Sequence, residues 1–151
     1  MFEEKYNEIL MPFQNGAVFV LATAINNRPA SRSISGFSMD GKIYFQTDKE
    51  MEKAIHISQN PYVSICLNEI QIQGICTEKG HPMTNSNATF LLKFKEYFPR
   101  AFEKYSHVQT EVVFEVTPQF IKIWKSVDGI PCLETVDVVH KICDQKLFKE
   151  Y

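Results

Sequence analysis

The stretch from Arg28 to Lys53 constrains the fold of this chain most strongly, because it holds two strand-like runs joined by a hairpin turn. Asp40-Gly41 is a dipeptide typical of two-residue hairpin loops, and it separates the runs 28–39 and 42–47. A helix is expected directly afterwards, with Asp48 as its N-cap and with Met51, Ala54 and Ile55 on its inner face. The stretch therefore predicts an antiparallel strand pair that leads into a helix.

The remaining segments predict more hairpins and few helices. Further strands are expected at 17–24, 62–67, 70–74, 111–116, 120–125 and, as the last one, 132–139. Further helices are expected over 2–11 and in a pair whose second member begins at Pro99 and whose aromatic stripe packs into the core. Too few helices alternate with strands for a parallel sheet. The predicted fold is mainly β with some α: a six- to seven-stranded antiparallel split β-barrel with flanking helices.

Length and charge narrow the class of protein. The 151 residues predict a single domain over 1–151, and the net charge of −2 argues against a nucleic-acid partner. No apolar run of about 18 residues predicts a membrane helix, and the N-terminus does not resemble a secretory signal. A cytoplasmic location is therefore expected, with no membrane partner.

Cysteines and histidines do not predict a metal site. Neither a C-x-x-C pair nor an H-E-x-x-H helix motif occurs among the four cysteines and four histidines. In a cytoplasmic protein the cysteines are expected to be reduced.

A phosphate clamp is the interpretation that we favour for the central stretch. Arg32 lies in the first of the two strands, Thr47 ends the second, and Lys53 lies one turn into the helix. Two cations, a hydroxyl and a helix N-terminus can converge there on one anionic group. Taken alone, Lys53 is more typical of a solvated helix lysine, so its value depends on its position after Thr47.

Two of the predicted strands contain more polar residues than the apolar strands expected beside them. The part of the run 28–39 that covers 30–39 contains four serines and an arginine, which suits either a solvated edge strand or the wall of a ligand site. Glu69, Gln71 and Gln73 share one face of another strand. They could hydrogen-bond a polar heterocycle, or they could form the exposed face of an antiparallel strand.

In order and spacing, five motifs resemble the pyridoxamine 5′-phosphate oxidase-like, FMN-binding split-barrel proteins. The resemblance covers roughly residues 15 to 80. The motifs are R-S-I-S-G-F at 32–37, I-Y-F-Q-T at 43–47, Lys53 six residues after Thr47, N-P-Y-V-S at 60–64 and I-Q-I-Q-G at 70–74.

The resemblance implies a homodimer with an FMN site at each subunit interface and a small-molecule electron donor or acceptor. Arg32 and Lys53 would then bind the phosphate, and Gln46 and Thr47 would hold ribityl or phosphate oxygens.

The same resemblance also assigns residues to the flavin ring. Ser33 and Ile34 would line the flavin, and Glu69 and Gln71 would approach the ring, either from the same chain or from the other subunit.

Some positions depart from the family pattern. Met51 and Glu52 stand where the family often has a serine and a second cation, and Asp48 and Glu50 add further acid near the clamp. The C-terminal tryptophan and Arg-x-His signature that binds pyridoxamine phosphate is not visible in this chain. The fold and the cofactor are therefore expected to carry over better than the vitamin chemistry.

Three functions remain open from the sequence. The first is a small FMN-dependent oxidoreductase, for which no catalytic acid or base stands out. The second is a flavin-binding protein without turnover, in stress response or sensing. The third is a split barrel for another flat cofactor, either a deazaflavin or a haem with His81 or His107 as ligand.

Overall fold

Eight antiparallel strands form the sheet of the computed structural model, which describes residues 1–148. They are β1 (Ala17–Ile25), β2 (Arg28–Met39), β3 (Lys42–Asp48), β4 (Tyr62–Leu67), β5 (Ile70–Glu78), β6 (Glu111–Val127), β7 (Ile130–Asp137) and β8 (Ile142–Leu147). Their order is β3-β2-β1-β4-β5-β6-β7-β8, and β3 also pairs with β6. This pairing closes β1 to β6 into a barrel, from which β7 and β8 extend. The predicted antiparallel split barrel is confirmed.

Helices flank this barrel: α1 (Phe2–Leu10), α2 (Glu52–Gln59), α3 (Ala88–Tyr97) and α4 (Pro99–Tyr105). Short 3-10 turns lie at Met11–Phe13 and Asn85–Asn87. Pro99 begins α4 as predicted, because the first helical position needs no N–H donor. The longest helix, α3, has 10 residues, and within residues 1–148 no helix could cross a bilayer.

Three hairpin turns lie at Asn-Asn or Asp-Gly dipeptides, including the one predicted at Asp40-Gly41. The φ angles are 51° and 62° at Asn26-Asn27, 52° and 75° at Asp40-Gly41, and 52° and 79° at Asp128-Gly129. Positive φ at both central residues matches a type I′ turn, whose twist suits the flanking strands. These turns set the registers of β1 with β2, β2 with β3 and β6 with β7.

The apolar core has two parts. The larger part fills the barrel, and the smaller lies under α3 and α4. In the smaller part, Phe90 stacks on Phe37 at 5.3 Å and on Phe94 at 5.5 Å between ring centroids. The aromatic stripe of the helix pair therefore packs inward as predicted, except for Tyr105 at its end, which is 46% exposed.

The prediction of two separate strands at 111–116 and 120–125 was wrong, because β6 runs unbroken through Pro118. The strand accommodates this proline at a bulge, where Gly74 pairs with Pro118 while Gln73 pairs with Phe120. Gly74 is needed there, since a Cβ atom would lie 2.7 Å from Val116 Cγ1 and 2.9 Å from the Thr117 carbonyl oxygen.

The predicted last strand, 132–139, is also not the last. It corresponds to β7, and β8 follows it. Because every residue of β8 is exposed, its sequence shows no alternation of apolar and polar residues that would have predicted a strand.

Asp48 does not cap α2, contrary to prediction. The N-cap is Met51, and the Asp48 carboxylate accepts hydrogen bonds from the Glu50 N–H at 2.9 Å and the Thr110 hydroxyl at 2.8 Å. The inner face of α2 also differs, because only Ala54 of the three predicted residues is buried. Met51 and Ile55 are exposed, and His56 and Ile57 face inward instead.

Candidate functional site

A cavity of about 670 Å³ opens where β2 and β3 separate. β2 pairs with β3 only from Gly36 to Met39, and its earlier residues pair with β1 alone. The end of β3 pairs with β6 instead. Side chains of α2, α3 and α4 complete the wall. The cavity therefore lies at the predicted junction of the second strand, the third strand and the following helix.

Two lysines line this cavity, Lys104 of α4 and the predicted cation Lys53, which lies in the first turn of α2. Burial lowers the pKa of the Lys53 amine, and the positive charge of Arg32 lowers it further. Glu111 and Glu52 act in the opposite direction. The two predicted cations are thus close enough to repel each other, and an anion placed between them would relieve that repulsion.

Arg32 itself is held by protein groups and does not line the cavity wall. One guanidinium nitrogen donates to the Thr23 hydroxyl at 2.7 Å, and the other forms an ion pair with Glu52 at 2.8 Å. The Glu52 side chain is 66% exposed. Because an exposed ion pair contributes only about 0–1 kcal/mol, Glu52 can give up this contact to a competing anion at little cost.

Thr23 connects Arg32 to the helix that carries Lys53. Its hydroxyl accepts from Arg32 and also forms a hydrogen bond with His56 Nδ1, which lies 2.9 Å away. Both Thr23 and His56 are buried. This chain of hydrogen bonds ties α2 to β1 and orients the guanidinium, and the scattered histidines of the sequence gave no sign of it.

Gln46 is less available than predicted, because its amide serves protein partners. Its nitrogen donates to Glu111 Oε2 at 2.8 Å, and its oxygen accepts from the Ser106 hydroxyl at 3.1 Å. Burial raises the pKa of Glu111 to about 7, and the negative charge of Asp48 also raises it. The Gln46 hydrogen bond and the charges of Lys53 and His81 lower it.

Three further predicted residues lie in the cavity wall: Ser33, Ile34 and Thr47. The polar serines of β2 thus form one side of a cleft, which favours the ligand-wall interpretation of that strand. Apolar side chains also line the cavity, among them Val18 of β1 and Phe94 of α3.

Glu69 and Gln71 do not line this cavity. In the sheet, Ser33 pairs with Val20, Val20 with Cys66 and Cys66 with Gln71. These residues therefore form one row on the outer face, and three strand spacings of about 4.8 Å separate Ser33 from Gln71. Within one chain the two sets do not meet, so a cofactor contact from Glu69 or Gln71 stays a prediction that needs a second subunit.

The two histidines considered as haem ligands differ in their surroundings. Both ring nitrogens of His81 are engaged, since Nε2 donates to the Val108 carbonyl at 2.8 Å and Nδ1 accepts from the Met83 N–H at 3.0 Å. His107 is exposed. Within residues 1–148, no cluster of three His, Cys, Asp or Glu side chains is arranged to hold a metal ion.

The family model for pyridoxamine 5′-phosphate oxidase matches residues 2–125. No curated protein sequence gives a significant match. General Stress Protein 26 from Bacillus anthracis str. Sterne superposes with a TM-score of 0.61 at 22% identity, over 79% of this chain and 90% of its own.

Two other solved structures extend the comparison. A pyridoxamine 5′-phosphate oxidase-related, FMN-binding protein from Nostoc punctiforme PCC 73102 gives a TM-score of 0.58 at 17% identity, over 99% of this chain and 93% of that one. HutZ, the haem storage protein from Vibrio cholerae, gives 0.64 at 14% identity, over 81% and 94%. Identities this low establish a shared fold alone. The family match over most of the sequence, on a barrel whose cleft lies where the motifs predict it, shows that this chain belongs to the pyridoxamine 5′-phosphate oxidase family.

Proposed function

We propose that this protein binds FMN in the cavity between β2 and β3 and acts as a small flavin-dependent oxidoreductase without pyridoxamine phosphate specificity. The observation that carries the proposal is a partly apolar cleft whose wall contains Lys53, with Arg32 near enough for its charge to act on the Lys53 amine. Its volume lies within the range of about 300–1,000 Å³ typical of small-molecule sites. The FMN-binding relative from Nostoc is consistent with this choice of cofactor.

The residues of the cavity fit a phosphorylated, partly flat ligand. Lys53 and Thr47 supply a cation and a hydroxyl for a phosphate, while Val18 and Ile34 supply apolar contact for a ring. Asp48 and Glu111 lie in the same wall and weaken the attraction for an anion. When bound, FMN would supply the hydride and electron transfer, and the protein would supply its orientation and electrostatic surroundings.

A second copy of the chain is proposed to cover the outer face of β1, β2, β4 and β5. Val18 is 61% and Val20 40% exposed on this face, next to the row that leads to Gln71. The cavity opens toward it through Val18 and Ser33. A two-fold contact would bring Gln71 of the partner subunit toward the cleft, which Gln71 of the same chain does not reach.

Two other functions, a flavin carrier and a haem-binding protein, would give different experimental results. A flavin carrier without turnover would use the same cleft. Haem is a second flat ligand, and HutZ shows that the fold accommodates it in one relative. His81 does not favour haem, because ligation would break two hydrogen bonds.

The redox function is tested by adding NADH or NADPH to the FMN-loaded protein without oxygen. Bleaching of the flavin absorbance in turnover is the expected result, because a flavin held in an open cleft can accept hydride from a nicotinamide donor. FMN binding with no bleaching by either donor would contradict the oxidoreductase and leave the carrier. A strong Soret band after haem addition, with no FMN binding, would replace FMN with haem.

Replacing Lys53 with alanine is expected to weaken FMN binding about tenfold or more, because a charge-assisted hydrogen bond contributes about 1.5–3 kcal/mol. The affinity is measured from the quenching of FMN fluorescence. Lys49→Ala is the matched control, since Lys49 is exposed and lies outside the cavity wall. Equal affinity for wild type and Lys53→Ala would remove Lys53 from the site.

Placing a charge on the outer face tests the dimer. Val20→Arg is expected to shift the mass measured by light scattering from two chains to one and to weaken FMN binding, because a buried unpaired charge is costly at an interface. Leu92→Arg is the control, since Leu92 is 71% exposed and lies on α3, outside the four strands that form this face. A monomeric wild type, or a dimeric Val20→Arg variant, would argue against the interface.

A further inference from the structure

Glu111 is the one acid of the cavity that is both buried and bonded to a predicted cofactor residue. It is 5% exposed, opens β6, and pairs across the sheet with Asp48 at the end of β3. Its Oε2 accepts from Gln46, and its backbone N–H donates to the Val108 carbonyl at 3.0 Å. The fold thus fixes a carboxyl group in the wall that also carries Lys53.

The charged groups around Glu111 come from every element packed near it. Asp48 faces it from β3, Lys53 from α2, His81 from the segment between β5 and α3, and Lys104 lines the same cavity from α4. Two lysines and two acids give the cavity no net charge when Glu111 is ionised. Protonating Glu111 makes that charge positive by one unit and leaves an O–H that can donate.

We propose that Glu111 is a specificity-determining residue that seats an anionic ligand by holding a proton: the neutral carboxyl donates to a phosphate oxygen, whereas the carboxylate repels it. This inference rests on the proposed phosphate site and deepens it. Binding then takes up a proton, which goes from solvent to the Glu111 carboxyl. No bond to the ligand forms or breaks.

The sign of the pH effect follows from the charge of the two forms. Burial raises the pKa of Glu111 to about 7, so the carboxylate prevails at higher pH. A bound anion raises this pKa further, so affinity is lost as pH rises from the pKa of the free protein to that of the complex. The phosphate monoester has the opposite trend, because its second ionisation, near pH 6, increases its charge as pH rises.

The test compares wild type with Glu111→Gln, in which the new amide oxygen can still accept from Gln46. Titrations with FMN and, separately, with inorganic phosphate are run from about pH 6 to about pH 8.5. Wild-type affinity is expected to fall by up to about tenfold per pH unit above about pH 7, while Glu111→Gln loses no affinity there. Calorimetry in two buffers of different ionisation enthalpy should show proton uptake by wild type alone.

Glu115→Gln is the matched control, because Glu115 is a second buried acid of β6 whose partners are Tyr44 at 2.6 Å and Lys42 at 3.2 Å, outside the cavity. It should keep the wild-type pH profile. If Glu111→Gln fails to fold, Asp48→Asn serves instead. Removing that negative charge lowers the pKa of Glu111, and the loss of affinity should begin at lower pH.

The outcomes separate the two proposals. Phosphate binding with a Glu111-dependent profile, but no FMN binding, supports the role of Glu111 and contradicts the FMN function. FMN binding with the same pH profile in wild type and Glu111→Gln overturns the role of Glu111 and leaves the FMN function standing. Binding of neither ligand by wild type at about pH 6 overturns both, because the carboxyl is then protonated.

Discussion

The pairing of β3 with β6 is the constraint on which the rest of this structure depends. It closes the barrel and draws the end of β3 away from β2, so that a cleft opens between them. Gly36 lies at the point of separation, where a Cβ atom would collide with the Tyr44 backbone and lie 2.9 Å from the Phe19 ring. Closure therefore requires a residue without a side chain there. The cleft follows from the topology of the barrel and not from a flexible loop.

Acidic residues offset much of the positive charge that the two cations bring to the cleft. The fold places Arg32 and Lys53 close enough to repel, yet Glu52 neutralises one of them from the surface and Glu111 faces the other from inside. The surface pair is screened and weak, whereas the buried acid cannot move to water. An anion bound in the cleft would therefore have to displace Glu52 from Arg32, and Glu111 would have to take up a proton. This balance makes the affinity of the site adjustable by single charges.

The sequence predicted the parts of this structure that depend on local chemistry. Asn-Asn and Asp-Gly turns demand positive φ, and Pro99 can only begin a helix, so the hairpins and the helix pair could be placed from residues alone. The bulge at Gly74 that lets β6 pass through Pro118 depends on a partner strand, and β8 has no buried face to produce a pattern. Glu111 carried one visible signal, an acid next to apolar residues, but its neighbours Gln46 and Lys53 lie far away in sequence. Site residues that act through tertiary neighbours could not be found without the fold.

The central claim, that the cleft seats a phosphate between Arg32 and Lys53, is tested most directly by comparing FMN with riboflavin, which has the same ring and ribityl chain but no phosphate. Calorimetric titration of wild type at a pH of about 6 is expected to give FMN an affinity at least about tenfold higher than that of riboflavin, the gain of about one charge-assisted contact. Equal affinities for the two compounds would contradict the account, since the ring would then bind without any use of the two cations.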